Sequence, residues 1–170
     1  SLGRLFRNSI ENFPKKHFLF SDKNKDNNIN QKMSKISDKR KIGISWHSKN
    51  ANYGSAKSLD LHMFMPIFSL PGLTFINLQY GNTKEEINSF NKTSNINIHN
   101  FEEIDLFNDF EAISSLLKNL DLFITVSNTT AHVAGALGIP TWLIKPKNHA
   151  VFHYWNQPGN TTPWYSSITL

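Results

Sequence analysis

Four consecutive hydroxyl or amide side chains, Ser127-Asn128-Thr129-Thr130, separate an apolar run ending at Val126 from the small-residue stretch Ala131 to Leu137. At the start of a helix such a group can do anion chemistry. The first backbone N–H groups of a helix lack internal partners, and that end carries partial positive charge, so phosphate oxygens bind there favourably. One residue of this kind suffices to cap a helix. Four in succession favour a bound anion, with Ser127, Asn128, Thr129 and Thr130 adding donors. His132 falls three positions after Thr129 and shares its helical face. Two roles are open to it: a donor to a phosphate or sugar oxygen, or a ring packed against the sheet.

A second constellation is Trp46-His47-Ser48, followed by Lys57-Ser58. A polar loop closed by a cation can wrap a diphosphate, with Lys57 offsetting the charge that builds on a departing phosphate. Lys57 on a solvated loop is the plainer alternative, and Trp46 is equally suited to the core or to stacking on a ligand. A third loop, Gln79 to Thr83, also follows an apolar run. The terminal cluster His153-Tyr154-Trp155 and Pro163-Trp164-Tyr165 could close the pocket edge or cap the sheet, with packing favoured for Trp155 and Trp164. No Gly-x-Gly-x-x-Gly and no Gly-x-x-x-x-Gly-Lys-[Ser/Thr] occurs, which argues against an ordinary dinucleotide site and a P-loop. The seven histidines, His149 among them, show no metal-binding spacing, and no metal or other cofactor is expected.

The elements that must position these residues alternate. Ile42 to Trp46, Leu73 to Leu78, Ile96 to Ile98, Leu122 to Val126 and Pro140 to Ile144 read as short buried strands. Between them lie helical stretches: Leu61 to Leu70 capped by Asp60, a short helix to Phe90 opened by a Thr83/Glu86 capping box, and Thr129 to Leu137 stopped by Gly138. The clearest helix opens at Asp109, with Phe110, Ile113, Leu116, Leu117 and Leu120 on one face. Continuous apolar strands alternating with helices predict an α/β, Rossmann-like, three-layer parallel sheet with helices on both faces. In such sheets ligands bind beyond the carboxyl ends of the strands, where these loops gather.

The formal charge of +5 over 170 residues is unevenly placed: +7 falls on residues 1–41 and −2 on the rest. The basic stretch holds all three arginines, Arg4, Arg7 and Arg40, and is otherwise lysine. Readers of nucleic acid favour the arginine fork, so no nucleic-acid partner is expected. Ser21 to Lys39 is nearly all polar and reads as an exposed linker. The expected division is a basic lead-in and linker over 1–40 and a Rossmann-like domain over 41–170. The chain opens on Ser1, not methionine, which leaves open a piece cut from a longer protein or a non-native first residue. With no cysteine, no apolar run long enough to span a membrane and no leader, a cytoplasmic protein is expected.

These segments together resemble the C-terminal, donor-binding half of GT-B glycosyltransferases. The likeness is to the heptosyltransferase-like (glycosyltransferase family 9-like) domain that follows tetratricopeptide repeats in bacterial proteins. It is carried by Lys41 to Trp46, Lys57-Ser58-Leu59, Phe75 to Gln79, Asp109-Phe110, Asp121 through Gly138, Pro140 to Ile144 and Pro163 to Ser166. Ser1 to Phe6 looks like the last piece of that family's N-terminal half. The resemblance implies one half of a GT-B fold that binds a nucleotide-diphosphate sugar for metal-independent transfer, the acceptor being held by the absent N-terminal domain. It implies donor-phosphate contacts at Ser127 to Thr130 and His132, help from Lys57 and Ser58, and Gln79-Tyr80 near the base or ribose. Trp46 and His47 complete the expected contacts. Ser127-Asn128 stands where heptosyltransferases commonly carry Asp-Thr. That departure keeps a non-catalytic binding or scaffold module as the alternative, beside a nucleotide-sugar 2-epimerase-like enzyme.

Overall fold

A computed structural model describes residues 2–147, 152–156 and 159–170; Ser1 and His149 lie outside them. In chain order the elements are α1 (Leu2–Phe6), α2 (Lys23–Ile36), β1 (Arg40–Ser45), α3 (Gly54–Lys57), α4 (Met65–Phe68) and β2 (Leu73–Asn77). They continue with α5 (Lys84–Ser94), β3 (Ile98–His99), α6 (Phe110–Lys118), β4 (Leu122–Val126), α7 (Thr129–Leu137), β5 (Thr141–Ile144), β6 (Thr161–Thr162) and β7 (Tyr165–Thr169). The seven strands form one sheet in the order β3-β2-β1-β4-β5-β7-β6, parallel except for the β6–β7 pair. The sheet grows one way from β1 to β2 and the other way to β4, so its switch point lies between β1 and β4. Beyond their carboxyl ends a crevice must open.

Alternate residues of each strand feed different layers. Ile76 and Phe123 pack with Met33, Leu116, Leu117 and Leu137 under α2, α6 and α7. Ile44, Phe75 and Ile124 pack with Phe64, Phe68 and Phe90 under α4, α5 and the turn of 3₁₀ helix at Leu61–Phe64. This second cover stops short of β5, where Trp142 is 52% and Ile144 37% exposed. Helix ends follow the sequence signals closely. Asp109 Oδ1 accepts from Ala112 N at 2.9 Å, Asp60 Oδ1 accepts from His62 N, and Gly138 ends α7 at φ 75°. That left-handed position favours glycine.

Three local expectations differ. Ser21 to Lys39 is not an exposed linker: α2 forms there, capped by Asp22, with Ile29 and Met33 buried against the sheet side that α6 also covers. Lys25 and Lys32 meet Glu111 and Glu103, so part of the basic charge is answered within the chain. Thr83 makes no side-chain cap to α5, and Glu86 is drawn instead to Trp46 and His47. Phe110 does not join the buried face of α6; it is 50% exposed. Among the described residues no helix is long and apolar enough to cross a membrane.

Candidate functional site

The crevice at the switch point is a cleft of about 630 Å³. The loop after β1 supplies Ser48, Lys49 and Lys57, and the turn from β4 into α7 supplies Ser127, Thr129, Thr130 and His132. Tyr80, Phe107, Phe110 and Phe152 add aromatic faces to the lining. The lining includes two lysines and, among the described residues, no carboxylate. Burial pushes the Lys57 ammonium below its ordinary value, and among the described residues it makes no ion pair. A partly desolvated cation without a counter-charge is a place for an anion.

The four polar residues ahead of α7 divide the work. Asn128 is the cap: its Oδ1 accepts from Ala131 N at 3.0 Å, and its Nδ2 donates to Ser45 Oγ at 2.8 Å. That second bond ties the β4 turn to the end of β1. Ser127 is buried, and its Oγ accepts from the indole Nε1 of Trp155 at 2.9 Å. Among the described residues the Thr129 and Thr130 hydroxyls have no hydrogen bond, and Thr129 is exposed on the cleft.

The first loop is braced from beneath. Gln79 is 1% exposed, and its Oε1 accepts from Ser45 Oγ, Trp46 N and His47 N at 2.7–2.9 Å. In this position Gln79 holds the β1 turn; its amide oxygen has no capacity left for a ribose. Trp46 takes the core role: its ring is 0% exposed, and Nε1 donates to Glu86. Ser58 Oγ accepts from Ser48 N and donates to Gly54 O, closing the loop on itself. Tyr80 Oη accepts from Lys49 N at 3.2 Å. Ser48, Lys49 and Tyr80 also border a second hollow, where His47 Nε2 lies 3.3 Å from Glu86. Lys57, His132, Ser127, Thr129, Thr130 and Tyr80 thus share the cleft, whereas His47 and Ser58 face the hollow beside it.

His132 is held in an aromatic cage. Its ring stacks on Trp155 with centroids 4.9 Å apart, and Nδ1 lies 3.1 Å from the Tyr165 hydroxyl. Burial first, then the charges of His153 and Lys57, push its pKa down to about 4. The ring is therefore neutral at ordinary pH. Sequence reading missed Phe107, Phe110 and Phe152 as lining. For Phe107 and Phe110 a signal existed, since both flank the Asp109 cap where a side chain can turn away from the core. Among the described residues no three His, Asp or Glu side chains converge as metal ligands would.

No family model matches the chain. It is 32% identical over 165 residues to Protein FlbA of Caulobacter vibrioides, a match covering 95% of this chain and 27% of that protein. Among solved structures it superposes on Escherichia coli ADP-heptose lipopolysaccharide heptosyltransferase II with a TM-score of 0.60 at 14% identity. That match covers 93% of this chain and 46% of the other. A glycosyl transferase family 9 protein of Veillonella parvula gives a TM-score of 0.53 at 12% identity, over 76% of this chain and 36% of that one. The chain therefore has the Rossmann-like fold found in GT-B glycosyltransferases. It spans about a quarter of FlbA and less than half of each solved neighbour.

Proposed function

We propose that this chain is the donor-binding half of a GT-B glycosyltransferase and that its cleft takes the diphosphate of a nucleotide sugar. The observation that carries the reading is the cleft itself. Its position beyond β1 and β4 brings the start of α7, Lys57 and Lys49 to one cavity with no carboxylate in its described lining. The solved neighbours with this fold are a heptosyltransferase and a family 9 glycosyl transferase, which supports the same reading.

In this reading transfer is metal-independent. The acceptor hydroxyl, brought by the preceding half of the protein, attacks the anomeric carbon and gives its proton to a base of that half. The sugar–phosphate bond breaks with its electron pair on the phosphate oxygen. The α7 N-terminus, the Thr129 and Thr130 hydroxyls and Lys57 stabilise the charge that accumulates there. Tyr80, Phe107 and Phe110 offer faces on which a base can lie. Residues 41–170 form the donor-binding domain, and 1–40 connects it to the preceding half while α2 stays packed beside α6. A cytoplasmic bacterial protein with tetratricopeptide repeats is the setting this implies.

Calorimetry on a protein that includes the preceding half, with UDP, ADP, GDP and their sugars, tests the reading. Nucleoside monophosphates serve as the control for the second phosphate. Absence of binding at millimolar concentration ends it. A second reading, a binding or scaffold module without transfer, is favoured by one observation: Ser127, Asn128 and His132 are all engaged within the chain. Sugar transfer by the full-length protein, seen by mass spectrometry, would dispose of that alternative.

A further inference from the structure

The hydrogen bond between His132 and Tyr165 decides which kind of oxygen the cleft can hold. The two side chains lie 33 residues apart in sequence and are brought together where α7 packs on β7. Neither group is charged at ordinary pH. Burial keeps His132 neutral, and burial, then Tyr154, pushes the Tyr165 phenol up, so the phenol keeps its proton. One proton therefore lies between Tyr165 Oη and His132 Nδ1 at 3.1 Å.

The partners available settle which atom carries it. Among the described residues, His132 Nδ1 is the only hydrogen-bond partner of the Tyr165 hydroxyl. A half-buried phenol needs an acceptor for its O–H, and a bare Nδ1 provides it. Were Nδ1 protonated, it would donate to Oη and leave the phenol's own hydrogen without an acceptor among the described residues. With Nδ1 accepting, the single ring proton of the neutral imidazole is on Nε2. His132 lines the cleft, and among the described residues Nε2 has no partner.

We propose that Tyr165 is a positioning residue that holds His132 in its Nε2–H form, and that this N–H is the donor the cleft presents to a phosphoryl oxygen. The ligand half of the inference rests on the nucleotide-sugar reading; the tautomer half rests on this chain alone. It excludes His132 as the general base, because Nε2 already bears a proton and the Nδ1 lone pair is engaged. In the opposite tautomer Nε2 would present a lone pair, which repels phosphoryl oxygen and suits a sugar hydroxyl instead.

Histidine-selective ¹⁵N labelling of the full-length protein, read by long-range proton–nitrogen correlation, reports the tautomer directly. Without ligand, His132 is expected with a protonated Nε2 and a bare Nδ1. Titration with pyrophosphate and with UDP, ADP and GDP should move the Nε2-bound proton downfield. Tyr165→Phe keeps the ring but loses the hydroxyl. It should give a mixture of tautomers and several-fold weaker nucleoside-diphosphate binding, with cooperative unfolding retained. An Nδ1–H signal in the unmodified protein, or an unchanged tautomer in Tyr165→Phe, overturns the inference. So does binding that leaves the Nε2 proton unmoved. If the tautomer is as stated and none of these ligands binds, the nucleotide-sugar reading fails and the donation to phosphate fails with it. An Nδ1–H form beside intact nucleotide binding would sink this inference and spare that reading.

Discussion

Trp155 donates its indole N–H to Ser127 Oγ at 2.9 Å, and both side chains are buried. One bond thus ties the segment after β5 to the turn that opens α7. The same indole packs with Ala131, Leu143 and Ile168 and stacks on His132. The polar turn is therefore braced by the indole, and among the described residues the Thr129 and Thr130 hydroxyls that follow it have no hydrogen bond.

Removing either end of that bond should cost stability, by different routes. Ser127→Ala leaves a buried indole N–H without an acceptor, about 1–3 kcal/mol. Trp155→Phe removes the donor and part of the packing, for about 2 kcal/mol. The pair Ser127→Ala/Trp155→Phe should cost less than the two singles together, by about 1 kcal/mol, because the second change removes the orphan created by the first. Urea denaturation of the four proteins measures the coupling. Strictly additive losses would mean the bond is not made in solution.

Met33→Ala should destabilise the protein by about 2–5 kcal/mol, the usual cost of a large-to-small change in a core. Met33 is 0% exposed and packs with Leu116 and Leu117 beneath α2. A linker position would give a change within about 0.5 kcal/mol. Equilibrium denaturation separates the two outcomes.

That helix marks where the sequence was harder to read. Composition alone makes 21–39 a polar tail, yet Ile29, Met33 and Ile36 follow the i, i+4, i+7 spacing of one helical stripe. Three apolar residues in fourteen were enough because α6 offered a ready surface. β1, β2, β4 and β5 were legible because each carries a short apolar run, whereas β3 is only Ile98–His99, shifted from the expected Ile96 to Ile98. β7 was not: along Tyr165–Thr169 only Ile168 is buried, and its neighbour β6 has two residues. At the site, strand ends and cap residues showed in the sequence. The partners that decide their chemistry did not, since Trp155 reaches Ser127 across 28 residues and Tyr165 reaches His132 across 33. No local pattern encodes such pairs, and Glu86, read as half of a capping box, shows how a motif is overridden when a buried indole needs an acceptor.

Gly135→Ala tests the same neighbourhood from the helix side. In an open helix the change would favour folding by up to about 1 kcal/mol. Here a Cβ on Gly135 would run into the Tyr165 ring. The ring must shift, and the expected result is a net loss of about 1–3 kcal/mol, typical of overpacking. Thermal unfolding gives the sign. A stabilised Gly135→Ala protein would show that Tyr165 does not lie against α7 as described.

Lys57→Ala should leave stability unchanged or slightly raised, because it removes a partly desolvated cation that has no counter-charge among the described residues. Nucleoside-diphosphate binding should fall by about tenfold or more, from loss of a charge-assisted hydrogen bond worth about 1.5–3 kcal/mol. Lys49→Ala should weaken binding less, since Lys49 is exposed and its charge is screened by salt. Calorimetry at two salt concentrations reads both effects. Equal affinity of Lys57→Ala and the unmodified protein would remove Lys57 from the site.

The depressed His132 value also fixes how stability depends on pH. In the unfolded chain this imidazole titrates near 6.5, and in the folded chain near 4. Between those values the unfolded state binds a proton that the folded state refuses, so stability rises with pH across the window. The contribution is complete above about pH 6.5 and is lost progressively as pH falls towards about 4. After allowance for the ring's partial exposure the loss is about 2 kcal/mol. His99, pushed down by burial, acts in the same direction. The carboxylates of Asp60 and Asp105, held below their ordinary value by hydrogen bonds, give up their contributions at more acid pH. Urea midpoints taken in steps from neutral pH to about pH 4.5 should therefore fall steeply for the unmodified protein and more gently for His132→Gln, which cannot titrate there. Parallel pH profiles for the two proteins would mean that His132 is not held neutral in its cage.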